Sequence, residues 1–214
     1  MNKILILLIA VNAIITYKGL NDNLFFNRYK FNVGAIEKGE KIRFLTSGFL
    51  HADWMHFFFN MLSLYFFAEV VIHFLGLTPF MIVYFGGLLL GNYLSFMLYK
   101  NNKNYSAVGA SGAVLSVIYA SILLQPFSTI YLYFFIQMPA YIFGILYLLY
   151  SIYGMNKNND GIGHSAHLGG AFAGYVCVCL LSFHSVINHF YIAILLLIPF
   201  ILVYFKNKEL INRK

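Results

Sequence analysis

Along this chain hydrophobic residues come in long blocks, and polar residues are largely confined to the gaps between them. Apolar runs occupy residues near 4–16, 54–75, 77–98, 108–125, 127–151, 165–183 and 187–205. A helix needs roughly 20 apolar residues to cross a hydrocarbon core of about 30 Å, and most of these runs approach that length. The pattern predicts an all-α fold, a polytopic membrane helix bundle of six helices plus a seventh. Only "HSVIN" joins the seventh to the sixth. The first run is short and, followed by "YKGL", has the outline of a signal peptide. No small-residue cleavage site follows it, so it is read as the first helix.

The gap between the first two runs is different in kind. Residues 17–52, centred on "NDNLFFNRYKFNVGAIEKGEKIRFLTSGFL", mix Phe, Leu and Ile with nine of the 21 charged residues of the chain. Loops of this length are uncommon and often functional. The aromatic content of this one predicts a structured, membrane-associated element. No internal repeat, low-complexity tract or second domain interrupts the remainder.

Composition supports the membrane reading. Of the 214 residues, 61% are hydrophobic and 10% charged, against about 25% charged in a water-soluble domain. The mean hydropathy is +0.75. A formal net charge of +7 raises the question of nucleic acid. However, the basic residues lie scattered in connecting loops and in the C-terminal "KNKELINRK". Attraction to anionic lipid headgroups accounts for them more economically, and no nucleic-acid partner is expected. Cys177 and Cys179 lie two apart in one apolar run. On a helix they point to different faces, so they read as packing residues rather than a disulfide.

Successive spans alternate in direction, so helices two, four and six begin on the same side of the membrane. Helix two opens with "HADWMHFFFN", helix four with "GASG" and helix six with "GHSAHLGG". Most of the histidines and a serine therefore share one membrane depth, and polar residues there imply a site by default. Serine is a weak nucleophile without an adjacent base. Acidic residues are nearly absent from the spans, which leaves histidine as the base and points to a Ser–His dyad. Asp160 is the one acid near the second histidine cluster in sequence. Such a dyad needs its helices pressed together. Gly112 adjoins the serine, and Gly170 and Gly174 in "HLGGAFAG" sit at the spacing that lets backbones approach in lipid. A developing oxyanion needs donors. The start of helix four offers N–H groups with no helical partner, and His56 and Asn60 share one face of helix two.

These three segments resemble the signatures of rhomboid intramembrane serine proteases: G-x-S-G on helix four, A-H-x-x-G-x-x-x-G on helix six and H-x-x-x-N on helix two. The resemblance covers roughly residues 1–184 and implies a six-helix catalytic core there. Residues 185–214 are then an extra C-terminal transmembrane helix and a basic tail. It implies Ser111 as nucleophile and His167 as general base, and favours His167 over His164 because only His167 stands in the A-H-x-x-G frame. It also implies an oxyanion and substrate site from His56, Asn60, Gly109 and the Ser111 backbone N–H. Structural support is implied for His51, Arg43, Gly112, Gly170 and Gly174, and Gly76 matches the glycine closing helix two. Three positions depart from the pattern. Ile42 replaces the tryptophan before Arg43. Ile72 replaces an acid before Gly76, with Glu69 nearby. Leu115 stands four residues after the serine, where an aromatic often packs on the histidine.

The implied activity is endopeptidase cleavage in or near transmembrane segments of other membrane proteins, with no cofactor. The partners are those substrates and the lipid bilayer, and the expected location is the cell membrane. Two competing readings are a silent relative that escorts membrane clients, and a metal site built from His164 and His167 with His51 or His56. The metal reading lacks H-E-x-x-H and the usual carboxylate or thiolate partners, so no metal is expected. Orientation gives two opposed expectations. Loops one, three and five and the C-terminus hold nearly all of the Lys and Arg, which makes that side cytoplasmic by charge bias. The family resemblance implies a site that opens away from the cytoplasm.

Overall fold

A computed structural model describes residues 2–132, 135–157 and 163–212. Helix α1 (Lys3–Asn21) starts where the Asn2 side chain accepts from the Ile4 N–H. The long first loop carries secondary structure of its own. It contains α2 (Asn23–Tyr29), a two-residue strand β1 (Phe31–Asn32), α3 (Val33–Glu37), α4 (Arg43–Thr46) and a 3-10 turn at Ser47–Phe49. Helix α5 (Trp54–Leu75) is capped by Asp53, whose carboxylate accepts from the His56 N–H at 2.7 Å. It ends at Gly76, where φ is +91°. A side chain rarely adopts that backbone conformation, and the turn lets α6 (Leu77–Tyr99) begin at once.

Strand β2 (Ser106–Ala107) leads into α7 (Ser111–Leu124). The apolar run at 127–151 is not one span. A hairpin of β3 (Thr129–Leu132) and β4 (Ile136–Pro139) occupies its first part, with Thr129 opposite Pro139 and Leu132 opposite Ile136. Pro139 has no N–H to give a helix interior, so α8 (Ala140–Lys157) starts just after it. The β-branched and aromatic residues before it suit a hairpin. Helix α9 (His164–Leu181), the short α10 (Phe183–Asn188) and α11 (Phe190–Asn212) complete the described chain.

By length and composition, α1, α5, α6 and α9 can each cross a membrane, and α7, α8 and α11 carry shorter apolar stretches. The chain is a multi-pass helical membrane protein. At its centre stands α7, buried on every side after its first residue and packed by α5, α6 and α9. Its 14 residues reach about 21 Å at 1.5 Å per residue. That is shorter than the hydrocarbon core, so at least one of its ends lies below the membrane surface.

Backbone contact holds α6, α7 and α9 together. A Cβ added at Gly170 would lie 2.0 Å from the Gly112 carbonyl oxygen, and one at Gly174 would lie 2.0 Å from that of Ser116. From α6, a Cβ at Gly87 would meet Ser116 at 2.1 Å, and one at Gly91 would meet the Ala166 oxygen at 2.5 Å. In lipid, where apolar burial between helices gains little, close backbone approach of this kind drives association.

Candidate active site

Three segments converge at one end of this seam. Phe31 pairs with Ala107 and Asn32 with Ser106, which latches the first loop to the strand just before Ser111. The Asn32 amide also donates to the Lys103 and Tyr105 carbonyls. A Cβ at Gly163, which precedes α9, would touch Ala107 at 3.9 Å. Loop one, loop three and the start of α9 therefore lie on one side, as alternation of the spans requires. Arg43 organises the first loop. Its buried guanidinium donates to the carbonyls of Asn27 at 2.9 Å and Lys30 at 2.8 Å, and it pairs with Glu40 at 2.8 Å. Ile42 beside it is 57% exposed, so its departure from tryptophan leaves the arginine's contacts in place.

Ser111 is the first residue of α7, half-buried, with Ala110 as a cap that makes no side-chain hydrogen bond. The N–H groups of the first turn are thus without a side-chain cap. His167 is buried in the first turn of α9. The two helix starts meet where a Cβ at Gly112 would lie 3.2 Å from the Ala166 oxygen. Ser111 and His167 each stand one residue from that contact.

His56 and Gly109 meet directly. Gly109 has φ of +124°, and a Cβ there would come within 2.7 Å of His56 Nε2. Its own N–H donates to the Ser47 carbonyl at 3.0 Å. The imidazole of His56 therefore covers the backbone two residues before Ser111. Asn60 is buried and donates one amide hydrogen to the His56 carbonyl at 2.9 Å. That bond orients the side chain, and an amide has a second N–H to give.

His51 ties the first loop to the serine turn. Its Nε2 accepts from the Ala110 N–H at 3.4 Å, and its Nδ1 lies 2.8 Å from the Thr16 hydroxyl. With Nε2 accepting, Nδ1 carries the proton and donates to Thr16, whose hydroxyl in turn donates to the Phe49 carbonyl at 3.2 Å. Burial first, and the neighbouring His56 second, lower the His51 pKa from 6.5 to about 3 against the opposing effect of Asp53. The neutral ring is the form this chain of bonds requires.

His164 does not share the position of His167. Its ring fills the space left by Gly154 of α8, where a Cβ would lie 2.1 Å from Nε2. The rings of His164 and His167 are 5.8 Å apart. Among the described residues, no three His, Cys, Asp or Glu side chains are gathered to hold a metal ion. Asp160 lies outside the described residues. Glu69 accepts from the Asn2 N–H at 3.3 Å, which puts it at the start of α1. Cys177 and Cys179 are both free thiols.

Three features escape a motif reading. Gly87 and Gly91 extend the glycine seam to α6, and "GGLLLG" carries the same four-residue spacing that marks Gly170 and Gly174. Thr16 gave no signal, because its partner lies 35 residues away. Tyr147 of α8 reaches His167, with its hydroxyl 3.4 Å from Nδ1.

Fold and site together define a class: a multi-pass helical membrane protein with a hydroxyl and an imidazole at the starts of two glycine-packed helices. The Rhomboid domain profile matches residues 38–184, and the chain belongs to the rhomboid family. RHOMBOID-like protein 12, mitochondrial, of Arabidopsis thaliana is 32% identical over 77% of this chain and 54% of its own length. The human presenilin-associated rhomboid-like protein, mitochondrial, is 30% identical over 61% of this chain and 35% of its own. A Bacillus subtilis rhomboid protein, YdcA, whose name carries a proposed protease activity, is 34% identical over 41% of this chain and 42% of its own. The chain thus spans between 35% and 54% of the length of these relatives.

Proposed function

We propose that the chain is an intramembrane serine endopeptidase that cleaves peptide bonds in or near transmembrane segments of other membrane proteins. The observation that carries this reading is the backbone contact at Gly112 and Ala166, which flanks Ser111 and His167 together. Ser111 Oγ attacks the scissile carbonyl while His167 takes its proton. The oxyanion is met by the Ser111 N–H, His56 and Asn60, and Gly109 leaves the space His56 needs. The tetrahedral intermediate collapses as His167 returns the proton to the leaving amine. Water, deprotonated by His167, then releases the acyl group from Ser111. No cofactor enters this sequence. The six-helix core of residues 1–184 holds all of these groups, and residues 185–214 add a helix and a basic tail to it.

Leu115, buried one turn after Ser111, favours a second reading, a chain that holds membrane clients without cutting them. A panel of single-span reporter proteins, co-expressed with wild type, Ser111→Ala and His167→Ala, separates the two. Cleavage by wild type alone is the expected result. Reporters retained but uncut by all three proteins support the escort reading and remove the protease. We place the protein in the cell membrane. Relatives named for mitochondria and chloroplasts make organelle membranes the competing location, and membrane fractionation decides between them.

A further inference from the structure

We infer that Tyr147 is the positioning residue for His167, standing where a carboxylate orients the histidine in a three-membered serine protease site; this rests on the Ser111–His167 reading above. For Nε2 of His167 to take a proton from Ser111, its lone pair must be free and the ring proton must sit on Nδ1. The atom placed at Nδ1 is the Tyr147 hydroxyl oxygen, 3.4 Å away, with the two rings 5.8 Å apart and tilted by 46°. A phenol oxygen accepts from Nδ1–H, holds that tautomer and fixes the ring's rotation. As Nε2 gains the serine proton, Nδ1–H becomes a stronger donor and the same bond tightens.

Tyr147 is itself held. Phe143 and Tyr150 contact its ring at 5.8 and 6.4 Å. The backbone of α8 is fixed to α7 through the Tyr119 hydroxyl, which donates to the Gly144 carbonyl at 2.6 Å. Among the described residues, Tyr147 from α8 and His164 from α9 have rings beside that of His167, and Ser111 stands one residue from the Gly112–Ala166 contact that joins α7 to α9. The sequences of α6, α7, α8 and α9 contain no acid, and Lys157 at the end of α8 is their one charged residue. On α7, the position one turn past the serine is Leu115, which has no polar atom to offer. The orienting group is therefore an uncharged phenol from a third helix.

The test is the rate of fluorophosphonate labelling of the full chain in detergent micelles, across the pH range in which an imidazole titrates, with thermal stability measured in parallel. Tyr147→Phe keeps the ring and removes the acceptor. It is expected to slow labelling about three- to tenfold, the range one neutral hydrogen bond supports. It is also expected to move the acid limb of the profile to lower pH, because the imidazolium loses an acceptor. Tyr17→Phe, which removes an exposed phenol of α1, and Asp160→Asn are expected to leave both rate and limb unchanged. A labelling wild type with an unshifted Tyr147→Phe profile overturns this inference alone, as does a shift in Asp160→Asn. A wild type that does not label removes the dyad and this inference with it.

Discussion

At the residue scale, the site depends on which nitrogen of each histidine is occupied and on what the glycines leave open. Gly109 is the sharpest case, because its positive φ and the His56 ring both exclude a side chain. Gly109→Ala is expected to displace His56 and to lower reporter cleavage about 10²-fold, the scale of one lost oxyanion donor. His56→Ala should match it. A loss in Gly109→Ala with full activity in His56→Ala would remove His56 from the site. The histidines, the serine and their order were legible in the sequence because each sits in a short local motif. Thr16 and Tyr147 were not, since their partners come from distant segments and a lone Thr or Tyr in an apolar run carries no spacing signal.

His51 gives a pH dependence with a defined sign. Its pKa in the folded chain is about 3, against an ordinary 6.5, so between those values the unfolded chain binds a proton that the folded chain excludes. Stability contributed by the neutral ring is complete above pH 6.5 and falls as pH drops toward 3, by up to about 1.4 kcal/mol per unit. Thermal unfolding in micelles is expected to move to lower temperature below that upper value in wild type. The trend should be weaker in His51→Asn, whose amide does not titrate. Equal slopes in the two proteins would contradict the assignment.

At the scale of elements, the fold turns on three helices meeting through backbone. Gly170→Leu places a branched side chain where a single carbon would already lie 2.0 Å from the Gly112 oxygen. Overpacking of this kind costs about 1–3 kcal/mol or more. The variant should lose both thermal stability and cleavage, whereas Gly86→Leu, with open space around it, should keep both. The helices themselves were readable as apolar blocks. The hairpin at 129–139 was not, because a block of Tyr, Phe, Ile and Leu reads alike for a span and a strand. The prolines at 126 and 139 were the available signal. The first loop was legible as structured from its aromatics, but its latch to Ser106 and Ala107 is a non-local pairing that no local pattern encodes.

At the scale of the whole molecule, the alternation of spans puts loops one, three and five on the side of the site, and the structure brings loop one, loop three and the start of α9 together at Ala107 and Gly163. With seven spans the C-terminus joins them, and all of the 14 Lys and Arg residues except Lys3 lie on that side or at its edge. Charge bias taken alone turns the site toward the cytoplasm, whereas the family resemblance turns it away. A reporter fused after Lys214 is expected to read cytoplasmic. A reporter on the far side would mean either that the first loop, structured and held by Arg43, escapes the rule, or that α11 does not span.

The central claim is that Ser111 is a nucleophile because His167 stands beside it. Labelling of intact membranes with a fluorophosphonate probe tests this most directly. Wild type should label, and Ser111→Ala and His167→Ala should each lose the signal by about 10³-fold or more. An unlabelled wild type, or a Ser111→Ala protein that still labels, would contradict it.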